Sequence, residues 1–101
     1  MNMNPFDLLK NAQSMQAQFG QIQEELSRVS VVGSSGGGIV KVTMNGKFEL
    51  LGVSLDPIAV DARDIPMLQD LIVAAHVDAS EKIKELLKTK FGPLAGAIPG
   101  L

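Results

Sequence analysis

Four lysines, Lys82, Lys84, Lys88 and Lys90, fall close together near the carboxyl end of the chain with only Glu81 and Glu85 among them. Closely spaced ammonium groups suit a polyanion: each phosphate they neutralise releases condensed counterions, and no particular base is required. The same spacing also fits a solvated helix face, because the dipole favours lysine near a helix carboxyl end and Glu81–Lys84 and Glu85–Lys88 can pair along the surface. Other chemistry lacks its parts. His76 is the single histidine and there is no cysteine, so neither a metal site nor a thiol nucleophile can be assembled from those residues. Ser34-Ser35, flanked by Gly33 and Gly36-Gly37-Gly38, lacks the Gly-Lys-Ser/Thr ending of a phosphate cradle, and no helix begins there. Glu24, Glu25, Asp56, Asp61, Asp64, Asp70 and Asp78 are spread over caps and exposed helix positions without a catalytic pairing. The chain therefore reads as a binding protein rather than an enzyme, with no cofactor, no metal and no small-molecule substrate.

The formal net charge of −2 has the wrong sign for finding polyanions by overall field, so local placement of the lysines decides the matter. At 101 residues, 46% of them hydrophobic, the chain has room for one core. Met1 to Lys10 has no basic flank followed by an apolar run, and no later run approaches a membrane span. Together with the missing cysteines this predicts a cytoplasmic protein without a membrane partner.

The elements that must carry the lysines follow from periodicity. Asn4-Pro5 is a helix start, and Leu8, Ala12, Met15, Phe19, Ile22, Leu26 and Val29 then recur at alternating spacings of four and three, a heptad seam. Such a helix is roughly 33 Å long at ~1.5 Å per residue, longer than a small core covers, so part of it projects. Gly20 within it predicts close packing or a bend. After Arg28 the pattern alternates. One strand, a loop of glycines, and a second strand over Ile39–Asn45 follow, with Val40, Val42 and Met44 on one side and Lys41, Thr43 and Asn45 on the other. Asn45-Gly46 predicts a hairpin to a third strand, Lys47–Leu55, whose apolar phase slips at Gly52 and so implies a bulge. Caps between Asp61 and Asp64 open a second long helix striped by Leu68, Ile72, Ala75, Ala79, Ile83 and Leu86, ending at Phe91-Gly92-Pro93. The fold class is α+β, αβββα, with residues 1–92 as one domain and 93–101 as a flexible glycine- and proline-rich tail.

A three-stranded meander has two open edges, and Val31-Val32 and Leu50-Leu51 supply more apolar residues than one face needs. A second copy is the simplest cover, giving a homodimer whose expected interface is Val40, Val42, Met44, Phe48, Leu50, Leu51 and Val53. If the two long helices pack antiparallel, Lys10 lies beside Lys84, Lys88 and Lys90, and with Lys82 these form a basic tip on each protomer. The four aromatic residues are all phenylalanine at stripe or element-end positions, so duplex backbone contact is expected rather than base stacking.

The stretch Gly36 to Pro57, GGGIVKVTMNGKFELLGVSLDP, is similar to the central signature of the YbaB/EbfC nucleoid-associated proteins. The glutamine-rich first helix with Gln23-Glu24-Glu25-Leu26, the run Asp70 to Ala75 with Asp78-Ala79, and the ending from Gly96 to Leu101 resemble the same family, so nearly the whole chain is covered. Val77 departs from it, standing where relatives commonly carry asparagine. The resemblance implies an intertwined homodimer with projecting helical arms that binds double-stranded DNA in the nucleoid with little sequence preference. A competing reading is a protein-interaction module that offers its heptad arms or its tail to a replication or recombination protein.

Overall fold

A computed structural model of the protein describes residues 4–92, in the order α1 (Pro5–Arg28), β1 (Ser30–Ser35), β2 (Val40–Asn45), β3 (Leu50–Leu55), a 3-10 turn (Pro57–Ala59) and α2 (Ile65–Phe91). The order is the expected αβββα, and the strands form an antiparallel sheet in the order β1-β2-β3. The expected tail lies outside the described residues. The helix ends obey local chemistry: Asn4 Oδ1 accepts from the Asp7 amide at 2.8 Å ahead of Pro5, Asp64 caps α2, and Gly92, at φ 50°, closes it by donating to the Lys88 carbonyl.

The core forms where α2 crosses β1 and β2. Val40, Val42 and Met44 lie fully buried on the sheet face that meets Ala75, Ala79, Ile83 and Leu87. Leu87, not Leu86, completes this stripe; Leu86 is half-buried. Small residues set the spacing. Gly33 pairs with Val42 on the face that α2 covers, and a Cβ there would stand 2.3 Å from the Ala75 carbonyl oxygen and 2.6 Å from the Ala79 Cβ. Beside it, the Ser35 hydroxyl donates to the Leu71 carbonyl at 2.6 Å.

The β2–β3 connection is longer than the sequence suggested. β3 begins at Leu50 rather than Lys47, because buried Asn45 takes the amides of Lys47 (2.9 Å) and Glu49 (3.0 Å) on its side-chain oxygen and holds the intervening residues as a turn. Phe48 is there in the left-handed region at φ 62°, the one non-glycine so placed among the described residues. Gly46 is needed for another reason: a Cβ would lie 2.6 Å from the Leu26 carbonyl, to which its own N–H donates at 2.8 Å. The glycine thus seats the end of α1 on the turn. The bulge falls as expected: Thr43 pairs with Gly52 and Met44 with Leu50, leaving Leu51 extra.

α1 is joined to the body only by its last turns. Leu26 is buried and Ile22 packs on the core, whereas residues 4–21 are all exposed, giving a molecule of 70 × 20 × 19 Å. The two long helices therefore do not lie side by side along their lengths. Nothing approaches within 4 Å of a Cβ at Gly20, so the close packing expected there is absent.

Candidate nucleic-acid interface

The last turns of α2 present Lys84, Lys88 and Lys90 to solvent. Among the described residues none of the three is in an ion pair; the alternative pairs Glu81–Lys84 and Glu85–Lys88 do not form. Lys84 and Lys88, one turn apart, share a face, and Lys90 points to another side of the same helix end. Three uncompensated ammonium groups on one rigid element can neutralise several phosphates together.

Lys82 has a different position. Its Nζ lies 3.1 Å from Asp78 Oδ2 and donates to the Val32 carbonyl at 2.9 Å, while the same Asp78 oxygen accepts from the Ser34 amide at 2.9 Å. The Ser34 amide, with the Lys82 ammonium after it, holds the Asp78 carboxyl below the usual carboxylate range. Lys82 and Asp78 thereby engage the Val32 carbonyl and the Ser34 amide on the outer edge of β1. Lys82 therefore differs from Lys84, Lys88 and Lys90 in having local partners. Lys10 stands apart from all four. It is exposed on the projecting part of α1, about 18 Å along the helix from Ile22 at ~1.5 Å per residue, so the tip that antiparallel packing would have built with Lys84, Lys88 and Lys90 is not formed.

The residues expected at a dimer interface also divide. Val40, Val42 and Met44 have 0–1% of their surface exposed beneath α2 and are core within one protomer. Phe48 is half-buried against that core. Leu50, Leu51 and Val53 are exposed, as is every residue of β3. Val53 pairs with Val42 and Leu55 with Val40, so the apolar face that α2 covers on β1 and β2 continues uncovered onto β3. Leu55 was missed by sequence reasoning, although its phase with Val53 signals it. The Asp78–Lys82 bracket was missed too; its only sequence signal is the four-residue spacing of opposite charges.

Comparison with known proteins agrees with this architecture. The profile of the YbaB/EbfC DNA-binding family matches residues 1–98. A nucleoid-associated protein of Chloroflexus aggregans is 42% identical, over 98% of this chain and 99% of that one. One of Mycobacterium sp. (strain KMS) is 46% identical, over 93% of this chain and 86% of that one. The crystal structure of an uncharacterized protein, HP0035 from Helicobacter pylori, superposes with a TM-score of 0.72 at 26% identity, covering 87% of this chain and 92% of that one. Extent of match, identity and fold agree, and the chain belongs to the YbaB/EbfC DNA-binding family.

Proposed function

We propose that the protein is a nucleoid-associated, DNA-binding homodimer that holds duplex backbone through Lys84, Lys88 and Lys90 at the end of α2, with little sequence preference. The observation that carries this reading is the set of exposed lysines free of ion pairs at one helix end, in a chain of net charge −2 whose family and relatives are named for DNA binding and nucleoid association. Lys10 serves as a separate outer contact on the arm. Leu50, Leu51, Val53 and Leu55 supply the contact between copies, since four apolar side chains in a row on a bare strand are stabilised by burial against a second such strand.

The test is a titration of random and defined duplexes at several salt concentrations. Four to six engaged lysines per dimer give a logarithmic salt slope on the order of −4 to −5, at about −0.9 per phosphate neutralised, and similar affinities for unrelated sequences. The competing reading, a module that engages a replication or recombination protein, is favoured by the apolar seam left open on α1. Absence of duplex binding at low salt would select it.

A further inference from the structure

The turn between β2 and β3 is held under more constraint than a connection needs. The Phe48 amide donates to the Asn45 carbonyl at 3.0 Å, and the Asn45 amide donates to the Glu49 carbonyl at 3.1 Å. This is a type I turn closed by a bulge, whose left-handed residue is ordinarily glycine. Here that residue is Phe48, at φ 62°. The glycine of the turn stands two places earlier, at Gly46, where the approach to Leu26 requires it. The strain persists because Phe48 packs on the core and because Asn45, 4% exposed, commits its whole side chain to the turn. Its oxygen accepts from the Lys47 and Glu49 amides, and its Nδ2 donates to Glu49 Oε1 at 3.1 Å. The side chain that none of this uses is Lys47, which is exposed and, among the described residues, in no ion pair.

The two ends of β2 meet different parts of α2. Val40 is paired with Ser35, whose hydroxyl is bonded to Leu71 in the first half of the helix. Beyond Met44 the core is completed by Leu87 and Leu26, with Phe48 and Phe91 packed against it. The turn therefore lies at the end of the molecule where α2 terminates in Lys88 and Lys90. Lys90 follows Ile83 and Leu87 on the face of α2 that packs on the sheet, so it stands on the side of the helix nearer the turn. Glu24 is paired with Arg28 and Glu49 is bonded to Asn45, which leaves Glu25, Glu81 and Glu85 against Lys47, Lys84, Lys88 and Lys90.

We infer that Lys47 is a further contact to duplex backbone, and that Asn45 and Phe48 are the residues that position it. Phosphate is then met from two elements fixed to one core, and a lysine carried on a locked turn loses less freedom on binding than one on a loose loop. This inference rests on the proposed reading of the α2 lysines as a DNA contact.

The measurement is the salt dependence of duplex affinity, with thermal melts alongside. Lys47→Gln should reduce the logarithmic slope by about 1.8 per dimer, two contacts at ~0.9 each, with Tm unchanged, and Lys47→Arg should restore it. Lys41→Gln makes the same charge change on the outer face of β2, away from this end, and should leave the slope as it was. Phe48→Gly relieves the strained backbone and removes its anchor without altering charge. It should lower the slope toward that of Lys47→Gln, and the two changes together should go no further than Lys47→Gln alone. A purely structural Phe48 would move Tm and spare the slope. The chain has no cysteine, so Lys47→Cys carrying an aryl azide should cross-link to duplex on illumination, and Lys41→Cys carrying the same group should not. An unchanged slope in Lys47→Gln, an equal loss from Lys41→Gln, an unchanged slope in Phe48→Gly or the absence of the Lys47→Cys cross-link would each overturn the inference. If Lys47→Gln lowers the slope while Lys84→Glu with Lys88→Glu does not, the turn contact stands and the helix-end reading fails. If no duplex binds at low salt, both fall.

Discussion

Replacing Gly33 by alanine would measure how tightly α2 is held against β1. The new Cβ would stand 2.3 Å from the Ala75 carbonyl oxygen, 2.5 Å from the Ala79 amide nitrogen and 2.6 Å from the Ala79 Cβ, where ordinary contact begins at 3.4 Å. All three atoms are fixed to the backbone of α2, so no rotamer relieves the clash and the helix must lift by about 1 Å at its middle. Lifting stretches the Ser34–Asp78 and Ser35–Leu71 hydrogen bonds, now 2.9 and 2.6 Å, and thins the contact of Ala79 and Ile83 with the sheet. Overpacking of this kind costs about 1–3 kcal/mol, and two weakened hydrogen bonds add about 1 kcal/mol, for roughly 3 kcal/mol together. At about 4–8 °C per kcal/mol for a domain of this size, Tm should fall by about 12–24 °C. Thermal melts by circular dichroism at one fixed protomer concentration would read this, because association also contributes to Tm. A fall of less than about 4 °C would refute the packing argument, since α2 could not then be seated on β1 at the spacing described.

Reversing Lys84 and Lys88 to glutamate together should weaken binding to every duplex alike and reduce the salt slope by about 3 to 4, four phosphate contacts per dimer at ~0.9 each, with the melting curve unchanged. Lys82→Gln should do the opposite, lowering Tm by freeing the β1 edge while leaving the salt slope as it was; equal slope losses from both variants would show that Lys82 meets phosphate. Asp78 gives a pH signature. Its carboxyl is held below the usual range, so its contribution to stability is complete above the unfolded value near ~4 and is lost as pH falls through the depressed folded value. Asp78→Asn should therefore lower Tm at neutral pH and narrow its gap to the unaltered protein on acidification through that window. A gap that stays constant would assign the loss to something other than the charge.

Much of the fold is legible in local chemistry. Asn4-Pro5 and Asp64 mark helix starts, Phe91-Gly92 marks a stop, and the alternation from Val40 to Asn45 sets the face of β2 correctly. What the residues do not disclose is which neighbour covers a face. Val42 and Val53 are the same residue on paired positions of one sheet face, yet α2 buries the first and leaves the second bare. That difference is set by where α2 crosses, which depends on Gly33, Ala75 and Ala79 meeting across elements far apart in the chain. The candidate site suffers in the same way. A heptad seam names the face of α1 and is silent on its partner, so Lys10 was placed beside an α2 that the arm never reaches. Lys82 sits among three other lysines and looks like them until the Val32 carbonyl is brought within 2.9 Å of it. Gly46 was legible as a turn glycine, but its contact with Leu26 was not.

The bracket that Asp78 and Lys82 place over Ser34 and Val32 has a consequence for how the protein can fail. A sheet with two bare sides adds copies at both, each addition exposing a fresh side, and that is how fibres begin. Here the Ser34 amide and the Val32 carbonyl on the outer side of β1 are already engaged by two side chains of its own helix, so a strand added there must first displace them, whereas among the described residues no side chain brackets β3 in this way. Crowding of copies therefore bears on β3 before β1, and a single lysine and aspartate of α2 make the two sides of the sheet unequal.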